Sequence, residues 1–143
     1  MEGDKKRIQV VVDSNIVFSL IIRGKQSMYL DLFLSENLEL YAPEEIIYEF
    51  RKHSERLKNR SDIFDEAMFL AFSFIRIMPR EFYLDFMQEA YNICKFDEKD
   101  TPFIALALKL GIPVWTNDKG IIENSGIYKV ITTAEIEELI KSV

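Results

Sequence analysis

Hydrophobic residues along this chain alternate between short, nearly continuous runs and longer segments with helical spacing. Ile8 to Val12 and Leu38 to Ala42 are runs of the first kind, and each predicts a buried parallel strand. Segments with apolar residues at helical intervals separate such runs. Strands that alternate with helices predict a three-layer α/β/α sandwich on a mainly parallel central sheet.

The other elements follow from the same patterns and from helix start and stop signals. In chain order we expect a helix over 16–22 that ends near Gly24, a helical segment over 27–34, a helix opened by Pro43, a helix over 62–74, a short strand over 76–78, a helix over 82–94, a helical turn over 119–125, a strand over 129–131 and a capped helix over 133–141. No repeat or linker is visible, so the sequence predicts one domain over 1–143.

The segment DEKDTPFIALALKLGIPVWTND, residues 97–118, predicts a helix, a tight turn and a buried strand with acids at both ends. Asp100-Thr101-Pro102 predicts a helix start with capping side chains, and Gly111 suits a left-handed helix end. The apolar run over 112–116 predicts the strand. A ten-residue helix is about 15 Å long and a five-residue strand about 16 Å, so the two finish level. We therefore expect Asp100 and Asp118 to face one crevice.

Composition narrows the class of protein. With 143 residues the chain is long enough for one domain with a hydrophobic core. No apolar run approaches the roughly twenty residues of a membrane span, and no signal-peptide h-region is visible. The single cysteine, Cys94, cannot form an internal disulfide, so we expect a cytoplasmic protein. The net charge of −6 disfavours a large phosphate-tracking surface but permits metals that bridge carboxylates to a phosphate.

Four carboxylates are predicted at one edge of the sheet. Asp13 ends the first strand and Asp118 ends the strand over 112–116; Asp100 starts the helix that feeds this strand, and Glu49 lies near the start of the helix after the second strand. Ligands of such sheets bind at the carboxyl ends of the strands. Like charges in one crevice stay ionised only with cations present, and oxygen ligands suit Mg²⁺ or Mn²⁺.

Histidine- or thiol-based catalysis is not indicated. His53 is the only histidine, and Cys94 lies within a predicted helix. A metal would therefore have to supply the nucleophile by lowering the pKa of a bound water. An aspartyl-phosphate phosphatase is disfavoured because it requires an acid where Asn15 stands.

Four motifs in order carry a resemblance to a known family. They are VVVDSN (10–15), PEEIIYEF (43–50), DTPFIALAL (100–108) and VWTND (114–118). Together they resemble the PIN-domain family of ribonucleases over nearly the whole chain. The resemblance implies a PIN-like fold and a Mg²⁺- or Mn²⁺-dependent endonuclease that cuts single-stranded RNA. Many small members of that family are toxins of toxin–antitoxin pairs and often homodimeric, and others process ribosomal RNA.

The resemblance also implies site residues. The positions that match the family's acids are Asp13, Glu49, Asp100 and Asp118, and those that match its polar residues are Asn15 and Thr116. In this interpretation the three aspartates hold the metal, while Glu49 completes the cluster or orients the attacking water. Asn15 and Thr116 would hydrogen-bond water or the acids.

Several alternatives stay open from the sequence. Glu45 lies one turn before Glu49, and Asp97 one turn before Asp100, so either is a further candidate ligand or only a helix-start charge. Asp13 and Asp118 are also typical capping residues.

Two segments and the overall function also have alternative interpretations. The basic stretch RKHSERLKNR, residues 51–60, is a solvated helix end or an RNA guide, and the apolar segment over 64–75 is core or a subunit or antitoxin interface. The alternative function is a catalytically inactive PIN-like module that binds RNA or protein. The four acids argue against such a module, because metal binding is what favours keeping carboxylates that repel one another. The acidic net charge argues for it.

Overall fold

In the part of the chain that the structure describes, the fold is built on five parallel strands in the order β3-β2-β1-β4-β5. The strands are β1 (Ile8–Val12), β2 (Leu38–Pro43), β3 (Ile75–Met78), β4 (Val114–Trp115) and β5 (Val130–Ile131). The computed structural model describes residues 7–23, 28–60, 64–95 and 97–142. The helix end predicted near Gly24, and the helix starts predicted at Ser27 and Asp62, lie outside those ranges. The expected α/β sandwich on a parallel sheet is confirmed.

Helices connect the strands. They are α1 (Ser14–Arg23), α2 (Met28–Phe33), α3 (Glu45–Arg60), α4 (Phe64–Phe74), α5 (Arg80–Tyr83), α6 (Met87–Ile93), α7 (Thr101–Leu110), α8 (Lys119–Glu123) and α9 (Thr133–Lys141). Helix α1 packs against α3 and α4, while α5 and α6 pack against α7, which also contacts β1, β2 and β4. Within the described ranges, every helix is too short or too polar to traverse a lipid bilayer.

The strand order creates a topological switch point between β1 and β4. The chain moves from β1 through β2 to β3 in one direction, whereas β4 leads to β5 in the other. The register pairs Val12 with Trp115, so the two strands end level. The backbone N–H of Asp13 donates to the carbonyl of Trp115 at 3.0 Å, which fixes Asp13 at this edge. Parallel sheets bind ligands at such points, so the fold favours a site beside Asp13.

The N-terminal end of α3 differs from the prediction. Pro43, expected to open this helix, is the last residue of β2 and pairs with Met78 of β3. The backbone N–H of Glu44 donates to the carbonyl of Met78 at 3.0 Å, which extends the strand pairing by one bond. Helix α3 therefore begins at Glu45 and continues without interruption through the basic stretch to Arg60.

The predicted helix over 82–94 is wrong, because a 3₁₀ turn, Leu84–Phe86, separates α5 from α6. In a 3₁₀ turn side chains three residues apart lie on one side. Asp85 thereby reaches Lys109 of α7 at 2.9 Å, and the rings of Phe82 and Phe86 lie 5.7 and 5.8 Å from the same ammonium group. Contacts with α7 thus favour the tighter turn.

Local signals around the last strands are confirmed with one exception. Gly111 has a φ of 68°, the left-handed helix end that was expected. Thr132 and Glu135 form a capping box at the start of α9. The predicted strand over 112–116 is shorter, since only Val114–Trp115 is regular. Thr116 nevertheless continues the pairing through its N–H, which donates to the carbonyl of Ile131 at 3.1 Å.

Candidate active site

Asp13 is the most deeply buried acid at the switch point, with 2 % of its surface exposed. The hydroxyl of Thr116 donates to its Oδ2 atom at 2.9 Å, and the backbone N–H of Asn15 donates to the same carboxylate. Burial raises the pKa of Asp13 to about 6, and the charges of Asp118 and Glu49 add to the rise, while the hydrogen bond from Thr116 opposes it. The hydrogen bonds from Thr116 and from the backbone of Asn15 hold the carboxylate of Asp13 in place.

Thr116 connects Asp13 to Asp118. Its side chain is fully buried, and its hydroxyl accepts the backbone N–H of Asp118 at 2.9 Å while donating to Asp13. Asp118 in turn caps α8, because its Oδ1 atom accepts the N–H of Ile121 at 3.0 Å. The capping role that the sequence left open for Asp118 is therefore real. It coexists with a position beside the buried acid.

Asp100 interacts with all the other acids at this edge. Burial raises the pKa of Asp100 to about 7, and four neighbouring carboxylates add to the effect: Asp13, Asp97, Asp118 and Glu49. Such mutual repulsion requires the carboxylates to lie close together in a poorly solvated crevice. The structure thus brings the four sequence-predicted acids into one electrostatic cluster.

The predicted capping role of Asp100 is wrong. Asp100 has helical backbone angles, and its side chain makes no cap hydrogen bond. A 3₁₀ turn, Glu98–Asp100, precedes α7, and Asp97 caps that turn by accepting the N–H of Lys99 at 3.0 Å. The carboxylate of Asp100 consequently accepts no cap hydrogen bond from the backbone, whereas that of Asp97 caps the turn that leads into α7.

The two glutamates of α3 have different partners. Glu49 accepts a hydrogen bond from the hydroxyl of Ser14 at 3.3 Å, next to Asp13 in sequence. Glu45 accepts hydrogen bonds from the hydroxyl of Tyr83 and from the guanidinium of Arg80, the latter at 3.2 Å. The structure therefore separates the two candidates: Glu49 joins the acidic cluster, and Glu45 ties α3 to α5. Glu45 is therefore more than the helix-start charge that the sequence offered as one alternative.

Two polar residues that support the site were missed from the sequence. Ser14 orients Glu49 through a hydrogen bond and stands within the DSN motif beside Asp13. Asn117 donates to Thr133 Oγ1 at 3.0 Å and accepts the backbone N–H of Thr133 at 3.2 Å, which fixes the loop before Asp118. The indole of Trp115 donates to the same hydroxyl at 2.9 Å. Ser14 and Asn117 each stand next to a predicted acid, and this position was the signal that could have identified them.

The cluster suits a hard cation bound partly through water. Among the described residues, no three His, Cys, Asp or Glu side chains are assembled as ligands of one ion. Mg²⁺, however, usually binds one or two carboxylates and keeps several waters for a phosphate ligand. The donor set is entirely oxygen, and burial first, then the neighbouring carboxylates, raise the pKa values of Asp13 and Asp100, effects that a bound cation would oppose. These residues therefore fit Mg²⁺ or Mn²⁺ chemically.

Replacing Thr116 with valine tests the buried bridge between Asp13 and Asp118. The change keeps the shape of the side chain but removes a hydroxyl that makes two hydrogen bonds. We expect the free energy of unfolding to fall by about 1–3 kcal/mol, because a buried N–H and a carboxylate oxygen lose their partner. Urea unfolding measures the change. Thr116→Ser, which keeps the hydroxyl, is the control, and equal stability of the parent and the valine variant would contradict the bridge.

Comparison with known proteins agrees with this fold. A family model described as the PIN domain matches residues 11–140, so the chain belongs to the PIN-domain family. Proteins of this family are generally nucleases that use divalent metals. The fold is also similar to a chain in the crystal structure of VapBC2 from Rickettsia felis bound to a DNA fragment from their promoter, with a TM-score of 0.60 and 13% identity over 87% of this chain and 98% of that chain. Curated proteins give no match.

Proposed function

We propose that this protein is a divalent-metal-dependent endoribonuclease that hydrolyses phosphodiester bonds of single-stranded RNA. The observation that carries the proposal is the cluster of four interacting carboxylates at the switch point of the sheet. Repulsion of this kind opposes folding, and a cation that bridges the acids to a phosphate relieves it. Membership of the PIN-domain family supports the same reaction class.

Asp13, Asp100 and Asp118 are the residues we assign to metal binding. When bound, Mg²⁺ or Mn²⁺ lowers the pKa of a water and offsets negative charge on the leaving oxygen. Thr116 keeps the buried carboxylate of Asp13 in one orientation through its 2.9 Å hydrogen bond. The cap that Asp118 forms on α8 fixes its own side chain in the same way.

Glu49 is the residue that we propose completes the acidic cluster or orients the attacking water. Its carboxylate is oriented by Ser14 and lies near enough to Asp13 and Asp100 to raise the pKa of both. It either completes the acidic cluster or accepts a hydrogen bond from the water that attacks the phosphate. Asn15, exposed at the start of α1, would hydrogen-bond water or the acids.

We further propose that the protein is the toxin of a toxin–antitoxin pair. The fold likeness to a chain of VapBC2 suggests this setting. A groove of about 620 Å³ between α3 and α4 offers an antitoxin an apolar surface lined by Ile47, Phe50, Phe64, Met68, Phe72 and Ile77. Phe69, 77 % exposed on α4, is the side chain we assign to a contact in a homodimer. The single buried thiol of Cys94 fits a reduced cytoplasm.

The alternative is a PIN-like module that binds RNA or protein without cutting. The lack of a preassembled three-ligand metal site within the described ranges, together with the net charge of −6, favours this alternative. The burial of Asp13 and the hydrogen bonds that orient it favour the nuclease, because a binding module gains nothing from a buried, uncompensated acid.

Cleavage of a mixed-sequence single-stranded RNA in Mn²⁺, with and without EDTA, tests the function. We expect cutting that EDTA abolishes. Glu49→Gln and Glu45→Gln form a matched pair, because they make the same change one turn apart on α3, and only the first alters the cluster. We expect Glu49→Gln to lose most activity and Glu45→Gln to keep most of it, with melting temperatures measured for both.

The outcomes of this assay separate the two functions. Cutting that resists EDTA would refute the metal mechanism, and equal loss in both glutamate variants would refute the assignment of Glu49. If the parent does not cut but calorimetry detects Mn²⁺ binding, the site binds metal and the RNA tested is not the substrate. Without cutting and without metal binding, the binding module is the better description.

A further inference from the structure

Unpaired cations are concentrated on α3. Most described lysines and arginines elsewhere form an ion pair with a carboxylate or lie over an aromatic ring. In the described ranges, those on α3 with neither contact are Arg51, Lys52, Arg56 and Arg60, and those elsewhere are Lys95, Lys99 and Lys129. In a chain with a surplus of acids, four exposed and unpaired cations on one helix are available to an anionic ligand.

Contacts with α1 show which side of α3 leads away from the acidic cluster. Glu49 meets Ser14 of α1 at 3.3 Å, and one turn later the ring of His53 lies 5.8 Å from that of Phe18, also on α1. Since the first contact includes Glu49, this flank of α3 begins at the candidate site. At His53, one turn further on, the same flank still faces α1.

Three of the four unpaired cations lie on or near this flank. Because a helix turns by about 100° per residue, Arg56 and Arg60 point within about 20° of Glu49, and Lys52 within about 60°. We call Lys52, Arg56 and Arg60 the α3 stripe. All three are exposed.

The other cations of the basic stretch face elsewhere. By the same rotation Arg51 and Lys58 point roughly 160–180° away from Glu49. Arg51 lines the groove between α3 and α4, and the ammonium of Lys58 lies 5.8 Å from the ring centre of Phe64 on α4. Glu55, the one acid among residues 51–60, is exposed and points about 60° from Lys52 and about 100° from Arg56, so it borders one side of the stripe. The stripe is therefore a basic line that Arg51 and Lys58 do not join.

The spacing of the stripe fits a polyphosphate chain. At 1.5 Å per residue its members are about 6 Å apart along the helix axis, and Arg60 lies about 16 Å from Glu49. This interval is comparable to the separation of successive phosphates in an extended single strand. Lysine and arginine side chains in such a line bind nucleic acid through its backbone, without sequence preference.

We propose that the α3 stripe binds the phosphate backbone of single-stranded RNA on one side of the bond that is cut. The inference rests on the proposed function, because the stripe begins where the scissile phosphate would lie. It divides the basic stretch into three residues that guide RNA and two, Arg51 and Lys58, that do not. The acidic net charge is compatible with this, since the stripe is narrow and local.

The test compares two double variants that remove one lysine and one arginine each from the same helix. Both are made in an Asp100→Asn protein, so that binding is measured without cutting. Lys52→Gln with Arg56→Gln neutralises the stripe, and Arg51→Gln with Lys58→Gln is the matched control. Fluorescence anisotropy with a fluorescein-labelled single-stranded RNA gives Kd at several salt concentrations in Mg²⁺.

We expect the stripe variant to weaken RNA binding at least fivefold and the control variant less than twofold. The slope of log K against log salt should fall by about 1.4 in the stripe variant, since each lost phosphate contact on a single strand contributes about 0.7. In the otherwise unchanged protein the stripe variant should raise KM for long RNA and leave kcat intact. Arg60→Gln alone, at the far end of α3, should weaken binding of long RNA only.

Equal weakening in both double variants would overturn the proposal, because it would reflect bulk charge. Unchanged binding in the stripe variant would also overturn it and would point to an acidic protein partner for these cations. Absence of RNA binding by the Asp100→Asn protein itself would overturn it as well. Stripe-dependent binding by a protein that never cuts RNA would refute the nuclease and leave the stripe standing. Circular dichroism confirms that each variant is folded.

Discussion

Replacing Asp100 with asparagine is expected to reduce RNA cleavage at least about 100-fold and to leave the fold intact. The side chain makes no cap hydrogen bond, so the amide removes no helix contact. It removes a negative charge that interacts with every other acid of the cluster. A loss of roughly 3 kcal/mol of transition-state stabilisation corresponds to such a factor. Initial rates in saturating Mn²⁺ measure it, and the melting temperature should equal or exceed that of the parent because repulsion is relieved.

Asp97→Asn is the matched control for this prediction. It makes the same chemical change three residues earlier, where the carboxylate caps the 3₁₀ turn through Lys99. We expect cleavage within a few-fold of the parent, together with a small loss of stability. If Asp100→Asn cuts as fast as the parent, the site assignment is wrong. If both variants lose activity equally, Asp97 is a fifth acid of the site.

Features set by neighbouring residues in sequence could be predicted from the sequence. The left-handed Gly111 and the capping box at Thr132 depend on contacts within a few residues, and the strand before Asp13 is marked by its own continuous apolar run. Apolar periodicity and cap chemistry act at that range. The expectation that Asp100 and Asp118 share one crevice came from the lengths of the predicted helix and strand, and the pKa of Asp100 does respond to the charge of Asp118.

Features set by distant contacts could not be predicted. The choice between Glu45 and Glu49 depends on Tyr83 and Arg80 in α5, and on Ser14 in α1. Both glutamates lie near one face of a helix, so spacing alone treats them alike. The break in the helix over 82–94 depends in the same way on packing against α7. Only the tertiary arrangement distinguishes the alternatives in these cases.

The site combines carboxylates that are held by hydrogen bonds with electrostatic repulsion between them. Hydrogen bonds from Thr116 and Ser14 fix two of the acids, and the cap on α8 fixes a third. These contacts hold carboxylates together that repel one another when ionised. Burial of this kind lowers stability unless a ligand compensates the charge, so stability itself reports on the ligand.

Without metal, the protein should lose stability as the pH rises from 5 to 7.5. The pKa of Asp13 is raised to about 6 and that of Asp100 to about 7, so the folded state holds protons that the unfolded state has released. The stability from these protons is complete below about pH 4 and is lost as the pH passes through 6 and 7. For Asp13 alone the loss over the whole range, from below pH 4 to pH 7.5, is about 3 kcal/mol, and roughly half of it falls between pH 5 and 7.5. Urea unfolding in EDTA at several pH values measures it.

Saturating Mn²⁺ should flatten this dependence, because a bound cation favours the ionised acids that the pH rise creates. At one hundred times its Kd a ligand adds about 2.7 kcal/mol, which is close to the loss expected from Asp13. Asp100→Asn is the control: its stability should fall less between pH 5 and 7.5, and the difference from the parent cancels the groups that lie outside the acidic cluster. If the parent and Asp100→Asn show the same pH dependence in EDTA, Asp100 titrates normally and the acids do not form a cluster. If the dependence is as expected but Mn²⁺ does not change it, the cluster is present and the cation is not its ligand.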